Sequence, residues 1–302
     1  MNSREDEALA SAAVAALTGR LALTPQPGLP DPRDLNARAT GRDHRALRWS
    51  AKALGPGLAA MAAAARRTGA PTPALRSELG AIGRCSEHTL TLTGGGHRGA
   101  LWVLGLLVAA TALDAGTPEP GESDASDGTA RESGRAARDR RPRAQGITVL
   151  VRQIAAHPDR GAPARPSRGS AISVKYGAAG ARGEARAGFP HVRRALDALA
   201  RARAAGADET RARLDGLLTV MSTLQDTELL HTAGPIGLRH VQAGARAVLE
   251  AGGTATEAGA EALAALDADL HARAWSPRGS AGLLAGALFL DTLPVSLPAP
   301  AR

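Results

Sequence analysis

Three stretches of this chain hold residue types at spacings suited to phosphate and proton chemistry. The first is residues 176–190, Tyr176-Gly177-Ala178-Ala179-Gly180-Ala181-Arg182-Gly183-Glu184-Ala185-Arg186-Ala187-Gly188-Phe189-Pro190. Its glycines free the backbone for left-handed conformations and close approach to a ligand. Arg182 is a forked, permanently charged donor that matches phosphate, and Glu184 is a carboxylate for proton transfer or a metal. The second stretch is Thr93-Gly94-Gly95-Gly96-His97-Arg98-Gly99. It feeds an apolar helix, so free N–H groups and the positive end of the helix dipole face an anion, with His97 and Arg98 as further donors. It is not a Walker loop, because the closing Lys-Ser/Thr pair is absent. The third is Gln225-Asp226-Thr227-Glu228, where Asp226 and Glu228 are either a polar cluster at a helix end or metal ligands. The Arg182–Glu184 stretch also has a plainer reading, an interhelical loop with an ordinary ion pair.

Helices must position these groups. Leu214, Leu217, Leu218, Met221 and Leu224 recur at helical spacing within residues 209–223 and just beyond. Comparable segments are expected over residues 7–19, 42–67 with a break near Gly55-Pro56-Gly57, 73–92, 100–113, 146–156, 192–205, 237–251, 257–273 and 279–293. Phe189-Pro190 leads into one helix, and Ser276-Pro277 reads as an N-cap followed by proline at the first helical position. Thr254-Ala255-Thr256-Glu257 has the capping-box pattern. Thr24-Pro25-Gln26-Pro27-Gly28-Leu29-Pro30 carries too many prolines for a helix. No strand-period alternation persists, so the expected fold is all-α, a single multi-helix domain over residues 1–302. Residues 117–145, rich in Gly, Ser, Pro, Asp and Arg, are expected to be a flexible insertion outside the core.

Composition narrows the class of partner. Aromatics are only 2% of the 302 residues against 44% hydrophobic, so the core must be Ala, Leu and Val. The net charge of +8 points to an anionic partner. Only Lys52 and Lys175 are lysines, however, and arginine bias of that kind is no nucleic-acid signature. Cys85 is the single cysteine, which excludes a disulfide framework and a cysteine metal cage and fits a core position. The apolar run 100–113 is too short to span a bilayer, and the polar, acidic start is wrong for a signal peptide. The expectation is a cytoplasmic protein with neither nucleic acid nor membrane as partner.

Five blocks in order carry a family resemblance. Residues 24–29 resemble a Thr-Pro-Lys-Pro-Gly-Leu block, and residues 93–100 a Gly-Gly-Val-Asn-Thr-His-Lys/Arg-Gly block. Residues 176–190 match almost residue for residue. Leu224 to Leu230 resembles Asp-Asp-Thr-Asn-Leu-Leu, and Ser276-Pro277-Arg278-Gly279-Ser280-Ala281-Gly282-Leu283-Leu284 resembles Ser-Pro-Gly-Gly-Ser-Ala-Asp-Leu-Leu. These are blocks of the triphosphoribosyl-dephospho-CoA synthase family, which makes the prosthetic-group precursor of citrate lyase and malonate decarboxylase.

The resemblance implies an all-helical transferase. It would move the triphosphoribosyl group of ATP to the 2′-hydroxyl of 3′-dephospho-CoA with release of adenine, and its product would enter an acyl carrier protein pathway. Glu184, Asp226 and His97 take the catalytic places. Gly94, Gly95, Arg98, Gly99, Tyr176, Gly180, Arg182, Gly183, Ser276 and Ser280 hold substrate. Asp226, Glu184 and Glu228 are the metal ligands, for Mg2+. The chain departs from the family pattern at Gln26, Gln225, Glu228 and Gly282. Those departures keep a second reading open, a catalytically impaired homologue that binds nucleotide or CoA-like ligands.

Overall fold

A computed structural model describes residues 2–32, 43–93, 95–115 and 132–294. Among them every regular element is a helix, as the sequence leads one to expect. In chain order these are α1 (Arg4–Leu21), α2 (His44–Ala53), α3 (Gly55–Thr68), α4 (Pro73–Leu92), α5 (Arg98–Asp114), α6 (Glu132–Ala156) and α7 (Arg168–Tyr176), followed by α8 (Gly180–Arg186), α9 (Pro190–Ala204), α10 (Glu209–Met221), α11 (Thr227–Thr232), α12 (Gly234–Glu250), α13 (Glu257–Ala272) and α14 (Arg278–Thr292).

The centre is α5 against α14. Both are apolar all round, the pattern of a helix enclosed on every side, and both are buried along most of their length. Small residues let them approach. A Cβ at Gly286 would lie 2.7 Å from Val103 and 2.9 Å from Leu107, and Gly105 leaves room for Met61 on α3. Close contact between small side chains thus supplies the density that large aromatics supply elsewhere. α1 and α3 pack on one side of this pair, and α9 and α10 on the other. The stripe Leu214, Leu217, Leu218, Met221 and Leu224 is buried as its spacing requires.

Several local expectations change. α6 starts at Glu132, so the last part of the expected 117–145 insertion is helical, and Ala144 is buried in the core. Residues 116–131 lie outside the described residues. Arg182 and Glu184 sit on a helix, α8, and not on an open loop. Thr256, not Thr254, caps α13 by accepting from the Gly259 amide at 3.0 Å. Thr254 instead donates its hydroxyl to the Arg211 carbonyl and its amide to Asp215 Oδ1. Ser276 does not cap α14, whose N-cap is Pro277 with no side-chain hydrogen bond. Cys85 is exposed, because it lies on a face of α4 left open among the described residues, and so is not a core residue.

Candidate active site

The five sequence blocks, scattered over the chain, meet around the N-termini of α5 and α14. Gly282 of α14 faces the start of α5, where a Cβ would come within 3.2 Å of the Ala100 amide nitrogen. Two residues earlier, Ser280 donates its amide (3.0 Å) and hydroxyl (3.3 Å) to Asp226 Oδ2. Asp226 belongs to the third block, whose Gln225 Oε1 accepts the Ala179 amide at 3.4 Å. Gly180 packs beside Thr227 of that block and takes φ 58° where a Cβ would collide with Ser173. The first turns of α5 and α8 are tied by Trp102, whose Nε1 donates to the Ala181 carbonyl at 3.1 Å. The proline block closes the ring. Gly28, at φ 64°, lets the chain run against the Trp275 carbonyl, directly before Ser276.

Glu184 is buried on α8 and paired with a residue that the sequence reading missed. Its Oε1 lies 2.7 Å from His191 Nδ1. His191 Nε2 in turn lies 3.2 Å from Thr223 Oγ1, which also accepts from Arg194 Nη1 at 3.3 Å. Phe189 at φ 49°, with its amide donating to the Glu184 carbonyl, folds α9 back so that its first turn faces α8. Only that reversal makes a histidine seven places later a partner, and nothing in the spacing itself announces it. The other carboxylate oxygen, Glu184 Oε2, is buried with no partner among the described residues.

Asp226 is the opposite case. It caps α11, Oδ1 accepting the Glu228 amide at 3.0 Å, while Oδ2 secures the N-terminal turn of α14. Burial drives its pKa up, and the donors from Ser280, Glu228 and Leu229 counter that. Glu228 is paired with Arg168 at 3.0 Å. His97, only 2% exposed, holds the Leu47 carbonyl on Nε2 at 2.8 Å. Burial, with Arg20 close by, lowers its pKa to about 4. It is therefore neutral at pH 7 with its Nε2 proton already given to Leu47, which argues against both roles that the sequence proposed, acid and phosphate donor.

Among the remaining sequence-picked residues, Arg98 is exposed and paired with Glu87 at 3.0 Å. Arg182 is exposed on α8. Gly95 takes φ 72° and its carbonyl accepts from Ser50, whereas a Cβ at Gly99 would meet open space. Gly94 lies outside the described residues. Gly183 packs on Ala179 within the helix turn. Tyr176 is half-buried beneath Lys175. Ser276 Oγ is buried with no partner among the described residues, hence still available to a ligand.

For magnesium the donor set is sparse. No group of three His, Cys, Asp or Glu residues is placed to hold a metal among the described residues. Asp226 is occupied as a cap, while Glu228 uses one oxygen on Arg168. Magnesium needs only one or two protein carboxylates when phosphates fill its shell, and this set fits that mode of binding.

The model of the ATP:dephospho-CoA triphosphoribosyl transferase family matches residues 6–300. The chain belongs to that family. A probable 2-(5''-triphosphoribosyl)-3'-dephosphocoenzyme-A synthase of Stutzerimonas stutzeri is 43% identical over 302 residues, covering 97% of this chain and 94% of the relative. A relative of the same name from Azotobacter vinelandii is 44% identical, with 97% and 94% covered. One from Pseudomonas aeruginosa is 45% identical, with 95% and 91% covered. No solved structure matches the chain. Family membership agrees with the all-helical fold, and the family blocks are the stretches that the fold gathers around α5 and α14.

Proposed function

We propose that this chain transfers the triphosphoribosyl group of ATP to the ribose 2′-hydroxyl of 3′-dephospho-CoA. The C1′–N9 bond of ATP breaks, a bond from C1′ to the 2′-oxygen forms, and the hydroxyl proton ends on the departing adenine. The observation that carries the reading is the buried Glu184 with one oxygen on His191 and the other unpartnered, inside the ring of family blocks.

In this reading Glu184 Oε2 takes the hydroxyl proton, and His191 fixes the carboxylate from behind. Negative charge at Glu184 also favours the cationic sugar of an oxocarbenium-like transition state. Arg182 and Arg98 grip phosphate oxygens. Glu228, through the oxygen that Arg168 leaves, would hold magnesium, which on the triphosphate screens phosphate charge. Asp226 sets the relation between α11 and α14 and so places Ser276 and Ser280.

The product would supply an acyl carrier protein of the malonate decarboxylase or citrate lyase kind, and the setting would be the cytoplasm, where ATP is plentiful. No helix among the described residues is long and apolar enough to cross a membrane. The alternative of an impaired nucleotide-binding homologue gains no support from the relatives. Incubation of purified protein with ATP, magnesium and dephospho-CoA should release free adenine. ATP binding without adenine release would sink the transferase reading.

A further inference from the structure

Beside the site lies a pair of arginines, Arg76 and Arg84, that neither the family blocks nor the sequence reading picked out. Arg76 and Arg84 stand on one face of α4 with Gly80 between them, since residues four apart share a face. Arg76 is 7% exposed, an unusual depth for a guanidinium. It lies 5.1 Å over the Trp102 ring, the same Trp102 whose indole nitrogen is hydrogen-bonded to α8. Asp159 is its nearest counter-charge, at 3.7 Å, and is shared with Arg84 at 2.7 Å. Gly80 and Gly161 make that sharing possible. A Cβ at Gly80 would overlap the Asp159 carboxylate, and one at Gly161 would crowd Arg84.

Next to Trp102, α8 carries Arg182 and Arg186, one turn apart. Burial lowers the Arg76 pKa, Asp159 raises it, and Arg182, Arg84 and Arg186 each lower it further. Trp102 joins the two pairs, with Arg76 over its ring and its indole nitrogen on the Ala181 carbonyl next to Arg182, and Asp159 is the carboxylate held by the α4 pair. Arg182 and Arg186 have no carboxylate partner among the described residues. Four cations against one anion leave an excess of positive charge that folding alone does not call for. Burying a guanidinium is costly unless it is paired, and a multiply charged oxyanion is the natural complement of forked donors.

We propose that Arg76, Arg84, Arg182 and Arg186 form a clamp for the polyphosphate chain of a nucleotide, with Asp159 as the counter-charge that holds the α4 pair in place. This rests on the transferase reading only for the identity of the nucleotide. The triphosphate of ATP and the diphosphate of dephospho-CoA share the chemistry.

The test is calorimetry of the full chain with sodium tripolyphosphate, which needs no turnover. Wild type should bind it, and Arg186→Gln, at an exposed position, should weaken binding at least tenfold. Arg76→Gln should do the same if circular dichroism shows it folded. Asp159→Asn should tighten binding several-fold, a direction that mere loosening of the structure would not give. No tripolyphosphate binding by wild type, or unchanged affinity in Arg186→Gln, overturns the clamp. Competition separates the sources, because tripolyphosphate that displaces ATP but not dephospho-CoA assigns the clamp to the triphosphate, and the converse assigns it to the diphosphate. Adenine release is scored separately. Its absence with tripolyphosphate affinity still dependent on Arg186 removes the transferase reading and leaves the clamp, whereas adenine release with affinity independent of Arg186 removes the clamp alone.

Discussion

Asp226 and Glu184 are both buried carboxylates in family blocks, yet the molecule uses them differently. Every oxygen of Asp226 is committed, to the Glu228 amide and to the amide and hydroxyl of Ser280. Glu184 spends one oxygen on His191 and leaves the other with no partner among the described residues. A buried polar atom without a partner costs about 1–3 kcal/mol. A fold that tolerates that cost at Glu184 and removes it at Asp226 separates a group kept for a ligand from one kept for architecture. Sequence gives both residues the same standing, and only the partners tell them apart.

The largest expected effect tests the Glu184 half of this contrast. Glu184→Gln should lower the rate of adenine release by about 10²–10⁴-fold, the usual worth of a positioned base, with the melting temperature little changed. A variant that keeps its rate would return Glu184 to a structural role.

Next in size is a pH effect at His97, a third buried polar group that is partnered and neutral. Its pKa is lowered to about 4 in the folded protein, against about 6.5 unfolded. The unfolded chain therefore takes up a proton that the folded chain refuses, so stability is held above about pH 6.5 and lost as pH falls toward 4. The loss should approach about 3 kcal/mol at the acid end. Denaturant titrations of His97→Gln, which keeps a donor for the Leu47 carbonyl, should show a flatter acid limb. An unaltered limb would show that other groups carry the acid sensitivity.

Arg182→Ala should weaken ATP binding by about 1.5–3 kcal/mol, the worth of a hydrogen bond to a charged group, as read by calorimetry, without loss of helicity. Asp226→Ala should do the reverse. Its stranded donors at the starts of α11 and α14 should cost about 1–3 kcal/mol in chemical denaturation, and activity should fall only as far as the folded fraction does. If Asp226→Ala were fully stable yet inactive, the division between the two carboxylates would collapse.

Helix content was legible in the sequence because glycine, proline and apolar spacing mark helix ends locally. The α4 bounds agree with the expected 73–92, and α10 carries its predicted stripe. Local rules failed where two capping residues competed. Thr254 and Thr256 both fit the pattern, and the choice is made by the distant Arg211 and Asp215. Composition misjudged the start of α6, where Ala144 has core neighbours that lie elsewhere in the chain. At the site, residue types and the resemblance together singled out Arg182, Glu184 and Asp226 but not His191, Arg76 or Arg84. His191 owes its place to the reversal at Phe189, and Arg76 and Arg84 owe theirs to Asp159, which reaches both from a distant loop; no spacing encodes either.

One feature bears on how recognition is regulated. α8 has seven residues, far below the length at which a helix persists alone in water. Its order is borrowed from the Trp102 indole, the Glu184–His191 pair and the glycines that bend the chain at either end. The two arginines and the glutamate on it therefore share one cooperative fate. Whatever frays those roughly two turns of backbone silences grip and chemistry together, so damage at Trp102 would be felt as loss of the substrate and not as collapse of the bundle.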